Sequence, residues 1–224
     1  MKVLVACEYS GIVRDAFIKK GHNAISCDLL DTDAERITGV DYLGGHYKGN
    51  VEDILYDGWD LMIAHPPCTY LAVSGAAWFY HPEDKHLPTD QRRPHPKHPN
   101  RRQLQEEALD FIRLLLNVPI DKIALENPVS AISTKIKKPN QIIQPYQFGH
   151  DVSKKTCLWL KNLPNLIPTK IVKPDIIEKN GYKMSRHHWE TFKLPSKIRG
   201  KVRSRFYEGI ADAMADQWGS NETI

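Results

Sequence analysis

The stretch "DLMIAHPPCTYLAVSG", residues 60–75, is a short apolar run that stops at two prolines and a cysteine. A short continuous apolar run is typical of a buried strand. Proline fixes φ and has no amide donor, so the strand cannot continue past Pro66 and Pro67. Cys68 should therefore be held at the edge of a sheet, a position that suits a reactive cysteine better than a core cysteine.

Strand-like and helix-like segments alternate on both sides of this stretch. Residues 2–6 and 23–30 have the composition of buried strands, and residues 10–21 between them have helical apolar spacing and a closing glycine. Residues 101–117 repeat apolar side chains at helical spacing, and residues 121–128 are strand-like and end at Asn-Pro. This order predicts an α/β, Rossmann-like fold with a mainly parallel sheet and helices on both faces.

The pattern changes after residue 140. Residues 141–150, 155–163 and 169–174 are strand-like pieces separated by Pro, Gly and Asn, which predicts antiparallel additions to the sheet. Residues 204–219 have the apolar stripe of a helix that packs on the core. The predicted organisation is a core over 1–140, a short strand and loop region over 141–200, and a C-terminal helix within 201–224.

The composition is that of a soluble protein, with 41% hydrophobic and 26% charged residues. No stretch is apolar for long enough to cross a bilayer, and the apolar run after Lys2 is too short for a signal peptide. The four cysteines have no CxxC spacing, so a reduced, cytoplasmic setting is expected.

Two segments concentrate positive charge, residues 81–103 and residues 193–206. Such segments predict a phosphate-facing surface, although solvated loops without a partner are an equal alternative. The first segment also holds four histidines and five prolines, so we expect a long solvated loop without a metal site. Its expected phosphate contacts are Arg92, Arg93, Arg101 and Arg102.

Six short motifs occur in a characteristic order: "CEYSG", "SCDLL", "VEDI", "HPPCTYLAVSG", "ALENPVS" and "FYEGIADAMA". Their order resembles the DNA (cytosine-5) methyltransferase family, in particular its short phage-type members. The resemblance covers most of the chain and implies the S-adenosylmethionine-dependent methyltransferase version of the Rossmann-like fold. The cofactor contacts that it implies are Tyr9, Ser10, Gly11, Asp28, Leu29, Asp53, Ile54 and Pro66.

The resemblance also implies the catalytic pair Cys68 and Glu126. A thiolate that adds to C6 of cytosine makes C5 nucleophilic, and an acid near N3 stabilises the charge that develops. The alternatives are a buried structural cysteine and a glutamate that only shapes the Asn-Pro turn. The other three cysteines lie inside apolar strands and are expected in the core.

The chain departs from the family pattern at three places. Val13 and Arg14 replace glycines that usually follow the first turn, and no arginine pair holds the base. The target-recognition region, roughly 165–195, is very short, so a partner could supply recognition. The implied substrate contacts, besides the four arginines, are Pro67, Asn127, Lys154, Lys155 and Thr156.

The expected function is therefore methyl transfer from S-adenosylmethionine to a cytosine of DNA that is flipped out of the duplex or single-stranded. Two alternatives remain open at this point: a catalytically idle DNA-binding or decoy protein, and an enzyme that acts on free dCMP. The sequence leaves the target sequence and the oligomeric state open.

Overall fold

The structure is a computed structural model that describes residues 1–34, 45–179 and 181–220, apart from the side chains of residues 196 and 197. The strands are β1 (Lys2–Ala6), β2 (Asn23–Asp28), β3 (Gly45–Lys48), β4 (Leu61–Ala64), β5 (Lys122–Pro128), β6 (Gln141–Ile143), β7 (Thr156–Lys161), β8 (Ile176–Lys179) and β9 (Tyr182–Ser185). The helices are α1 (Ile12–Lys19), α2 (Arg101–Asn117), α3 (Ile132–Lys135), α4 (Arg186–Phe192), α5 (Ser196–Ser204) and α6 (Glu208–Gly219).

Seven strands form one sheet in the order β3-β2-β1-β4-β5-β7-β6. The pairs from β3 to β5 are parallel, whereas β7 runs antiparallel to both β5 and β6. The strand order reverses direction between β1 and β4, which is the switch point where ligands bind in such sheets. The predicted α/β, Rossmann-like fold class and its antiparallel additions are confirmed.

Alternating residues of β1 face two different hydrophobic clusters. Val3 and Val5 pack with α1 and α6, where Phe17 and Trp218 are fully buried or nearly so. Leu4 faces the opposite cluster, which α2 covers. The sheet therefore has helices on both faces, and its apolar strands leave only the rim for polar chemistry.

The bounds predicted from the sequence are correct for β1, residues 2–6, and for α2, residues 101–117. The predicted final helix, residues 204–219, is present as α6 but begins later, at Glu208, because Arg205 and Tyr207 are extended and the Tyr207 carbonyl accepts the amides of Ile210 and Ala211. The preceding helix α5 was not predicted. The predicted strand at residues 169–174 is wrong. Ile171 is exposed there, and the segment makes an isolated bridge from Lys170 to Phe148 and a hydrogen bond from the Val172 amide to the Tyr146 carbonyl, without forming a strand.

A small unit outside the sheet follows residue 174. It contains the β8–β9 hairpin and helices α4 and α5. Among the described helices, none combines the length and the apolar character needed to cross a membrane.

Candidate active site

Three polar side chains gather where neighbouring parallel strands end. Glu8 follows β1, His65 follows β4, and Glu126 lies near the end of β5. The His65 amide donates to the Ala6 carbonyl at 2.9 Å, so β4 stays paired with β1 up to the proline pair. Parallel strands present their carboxyl ends on one edge, so these residues share a rim.

The turn that carries Cys68 is fixed from several sides. The Cys68 carbonyl accepts the amides of Leu71 and Ala72 at 3.0 and 2.9 Å, which closes a tight turn after the prolines. The buried Asn127 side chain donates to the Pro66 carbonyl at 2.9 Å, so β5 holds the start of this turn. Pro66 is buried, whereas Pro67 and Cys68 are exposed.

Helix α2 holds the far side of the same turn. The Arg101 guanidinium donates to the Thr69 carbonyl at 2.7 Å, and Gln105 donates to the Tyr70 carbonyl at 2.9 Å. The Arg101 guanidinium carbon lies 5.1 Å from the ring centre of Phe79, and the residue is only 7% exposed. Arg101 is therefore a clamp on the Cys68 turn.

Glu126 contacts His65 and influences the pKa of several neighbouring groups. Its Oε2 atom lies 3.2 Å from His65 Nδ1, and the His65 and Glu126 side chains are 11% and 14% exposed. The Glu126 carboxylate also helps to raise the pKa of three neighbours: Cys68, Cys157 and Tyr207. For Tyr207 burial is the larger cause, and its pKa rises to about 12. The structure therefore brings Glu126 and Cys68 together, as their motifs predict.

The pKa of the Cys68 thiol is raised, first by desolvation and then by the Glu126 carboxylate, although the residue as a whole is exposed. Lys154 acts in the opposite direction and favours the thiolate. The Lys154 ammonium donates to the Arg203 carbonyl at 3.1 Å and lies 5.7 Å from the Tyr207 ring centre. Lys154 is thus the cation of this site, whereas Lys155 is exposed and Thr156 is buried in β7.

His65 is the functional candidate that sequence reasoning missed. Its ring packs on Phe206 with centroids 4.6 Å apart, and its Nε2 atom is buried without a hydrogen-bond partner among the described residues. The signal in the sequence is its place directly before the proline pair, at the end of a central strand. Nothing comparable in the sequence predicts that the C-terminal segment folds back and places Phe206 against the His65 ring.

The Glu8 side chain accepts the free amides at the N-terminus of α1. Its carboxylate accepts the amide of Val13 at 2.8 Å and that of Arg14 at 3.3 Å, and Ser10 donates its hydroxyl at 3.1 Å. Burial raises the pKa of Glu8, and the neighbouring His65 is the largest opposing influence. Gly11, just before the helix, has a φ of 70°, which only glycine adopts without strain. The amides at the start of α1 are therefore already used by the protein.

Asp28 and Asp53 meet on the other half of the rim. Both carboxylates act on Cys27, whose pKa rises to about 11, with burial as the largest cause. Asp28 accepts the Leu30 amide at 2.9 Å, and Asp53 accepts the Tyr47 hydroxyl at 3.2 Å. The two acids predicted from separate motifs are brought together, with Leu29 exposed and Ile54 half-buried beside them.

Tyr9 is covered by the C-terminal basic segment. Its hydroxyl donates to the Lys201 carbonyl in α5 at 2.7 Å, and the residue is 8% exposed. The Lys201 ammonium binds Asp33 at 2.9 Å. Helix α5 therefore covers the turn that follows β1.

The prediction that four arginines of the 81–103 loop face phosphates is wrong for Arg101, because that side chain is buried against Thr69. Arg93 is engaged internally: its guanidinium binds the buried Asp84 at 2.6 Å. Arg92 donates to the Leu87 and Lys85 carbonyls. Arg102 lies over the ring of Tyr80 and, alone of the four, has no side-chain hydrogen bond within the described residues.

The histidines of this loop are not all solvated, contrary to expectation. His95 is buried and packs against Trp78, with ring centroids 5.1 Å apart. His98 packs on the same indole at 5.2 Å. Within the residues that the structure describes, no group of three His, Cys, Asp or Glu side chains is placed to hold a metal ion.

No protein-family model matches the sequence, and no curated protein matches it. Among solved structures, the chain is similar to an E. coli protein encoded within a prophage and provisionally described as a DNA modification methyltransferase. The two share 14% identity and a TM-score of 0.43 over 80% of this chain and 56% of the other. The chain thus spans about half the length of that protein, and a likeness this weak carries no argument about function.

Proposed function

We propose that the protein is an S-adenosylmethionine-dependent methyltransferase that acts on C5 of cytosine in DNA. The observation that carries this proposal is the proximity of Cys68, Glu126 and Lys154 at the carboxyl ends of β4 and β5, beside the switch point of the sheet. A nucleophile, an acid and a cation on one rim match the needs of addition to a pyrimidine ring.

The cofactor half of the rim favours a nucleoside without phosphates. A helix N-terminus next to the first strand is the usual place for a pyrophosphate, because its free amides bind anions. Here Glu8 occupies the amides of Val13 and Arg14, and a phosphate would face a buried carboxylate. Asp28 and Asp53 can accept hydrogen bonds from ribose hydroxyls and an amino group. S-adenosylmethionine, which has no phosphate, fits these residues, whereas a dinucleotide does not.

The protein's own residues would act in sequence on the pyrimidine. The Cys68 thiolate forms a bond to C6, and Glu126 gives a proton to N3 as negative charge develops there. Lys154 stabilises the thiolate, and the hydrogen bond from Asn127 to Pro66 keeps the turn in place. When bound, S-adenosylmethionine supplies the electrophilic methyl group. Loss of the C5 proton to solvent, return of the N3 proton to Glu126 and cleavage of the Sγ–C6 bond then regenerate Cys68 and Glu126.

DNA as the substrate is supported by the basic small unit beside this rim. Helix α5 lies over Tyr9 and is flanked by the exposed cations Lys193 and Arg205, and the β8–β9 hairpin adds the exposed Lys179 and Lys183. A cytosine inside a duplex cannot reach Cys68, so the target base would leave the stack. Recognition of sequence by so small a unit, alone or with a partner, belongs to the same proposal.

A second candidate, an idle DNA-binding protein, has one observation in its favour. The raised pKa of Cys68 keeps the thiol protonated in the absence of substrate. Catalysis then requires that the bound base, Lys154 and the neighbours of Glu126 shift the balance toward the thiolate.

Trapping with 5-fluorocytosine in DNA tests the proposal. Fluorine at C5 cannot leave as a proton does, so the Cys68 adduct should persist through denaturing electrophoresis and should require S-adenosylmethionine. Cys68→Ser should lose trapping and turnover, since a serine hydroxyl is a far weaker nucleophile than a thiolate. Cys7→Ser is the matched control and should still trap.

Three outcomes separate the candidate functions. Methylation of cytosine by Cys68→Ser would refute the mechanism. Binding of S-adenosylmethionine and DNA by the wild type without any trapping or methylation would identify the idle binder. Methylation of free dCMP but not of DNA would show that the substrate is the free nucleotide.

A further inference from the structure

The largely buried histidine at the end of β4 lies between two carboxylates. Glu126 Oε2 is 3.2 Å from the His65 Nδ1 atom, and Glu8 on the opposite neighbouring strand is close enough for His65 to lower its pKa. Both acids are largely buried. A titratable ring among buried acids is rarely a packing residue, because burial of such groups is costly without pairing.

The contacts of the ring leave one direction for proton exchange. Phe206 packs on the ring at 4.6 Å, and His65 Nε2 is buried with no partner in the described parts of the chain. The contact with Glu126 is the one side-chain hydrogen bond of this ring among the described residues. A proton held by the imidazole can therefore pass to Glu126 along an existing contact.

We propose that His65 is a positioning residue that holds the Glu126 carboxyl group and shares with it the proton that Glu126 gives to the base. This inference rests on the proposed function. The pair carries one transferable proton, held between His65 Nδ1 and the Glu126 carboxylate: the Nδ1–H bond breaks as Glu126 passes this proton to N3, and His65 is left as a neutral ring with its other proton on Nε2. When the Sγ–C6 bond breaks, the proton returns from N3 to Glu126 and then to Nδ1, so no net proton is consumed.

The charged and titratable groups around this pair come from several elements. They are Glu8 after β1, Cys68 in the turn after β4, Cys157 in β7 and Tyr207 before α6, and Lys154 lies near Cys68.

His65→Asn tests the proposal because asparagine can keep a hydrogen bond to Glu126 but cannot carry the proton. We expect kcat for cytosine methylation to fall by roughly 100-fold or more with KM nearly unchanged. His46→Asn is the matched control and should keep the wild-type kcat, since His46 lies in the edge strand β3 and contacts Ser26 and the Leu30 carbonyl.

The outcomes distinguish the two proposals. A wild type that neither traps nor methylates cytosine refutes the proposed function, and this inference with it. A wild type that methylates, with a His65→Asn variant of equal kcat, overturns the inference alone. Thermal melting identifies a misfolded variant, and His65→Gln then replaces it, with the same fall in kcat and the same unchanged KM expected.

Discussion

The two basic segments look alike in the sequence and are used differently in the structure. In the 81–103 loop, Arg93 binds Asp84 and Arg101 binds the Thr69 carbonyl, so two of its guanidinium groups are paired with acceptors of the protein itself. In the 193–206 segment, α5 lies across Tyr9, and Lys201 binds Asp33, an acid far away in the sequence.

The difference comes from the acceptors within reach of each segment. The loop contains three acids of its own and lies beside the Cys68 turn, whose carbonyls need donors. The C-terminal segment contains no acid. The number of lysines and arginines is thus a poor guide to a phosphate-binding surface, because guanidinium groups first satisfy the acceptors that the fold brings to them.

The largest effect should come from breaking the anchor of the loop. Asp84 is buried and accepts the Arg93 amide at 2.8 Å as well as its guanidinium, so Asp84→Asn should lower Tm by several degrees. Arg93 holds the pKa of Asp84 far below its ordinary value of 3.8. A lowered pKa in the folded state means that this stability is present above pH 3.8 and is lost as pH falls below it.

Thermal melting of wild type and Asp84→Asn at pH 7 and at pH 3 measures this contribution. The difference in Tm should shrink at the lower pH, and Asp90→Asn, a change at an exposed acid of the same loop, should leave Tm unaltered. Equal melting of wild type and Asp84→Asn at pH 7 would show that the loop is not anchored there.

The next effect concerns adjacent arginines at the start of α2. Arg101→Ala should reduce the free energy of unfolding by about 1.5–3 kcal/mol, since it leaves the Thr69 carbonyl without its charged donor. Arg102→Ala should change it by less than about 0.5 kcal/mol because Arg102 is exposed. Urea unfolding measures both, and equal values for the two variants would contradict the assignment of Arg101 as a clamp.

The smallest effect is on the salt dependence of DNA binding. Lys193 and Arg205 are exposed and form no ion pair among the described residues. Changing both to Gln should lower the slope of log affinity against log salt for single-stranded DNA by about 0.7 for each phosphate that the protein no longer neutralises. The matched pair Arg92→Gln and Arg93→Gln should lower the slope less, and a larger decrease with that pair would reverse the comparison.

Much of the site was predictable because its residues follow strands. Cys68 comes after a proline pair, Glu126 precedes Asn-Pro, and Asp28 ends an apolar strand. Parallel strands end on one edge, so motifs at strand ends meet without further information. His65 was overlooked and Arg101 was given the wrong role, because the role of each depends on a contact with a residue distant in the chain.

The sequence by itself determined the alternation of strands and helices, the places where strands stop, and which polar side chains and cysteine stand at those stops. Only the tertiary structure decided which charges are available. It placed Glu8 on the amides of α1, Arg93 on Asp84, His65 on Glu126, and α5 over Tyr9. Local patterns report which face of an element is apolar, whereas buried charges are paired by whatever partner the packing brings near. That partner is set by the folded chain as a whole.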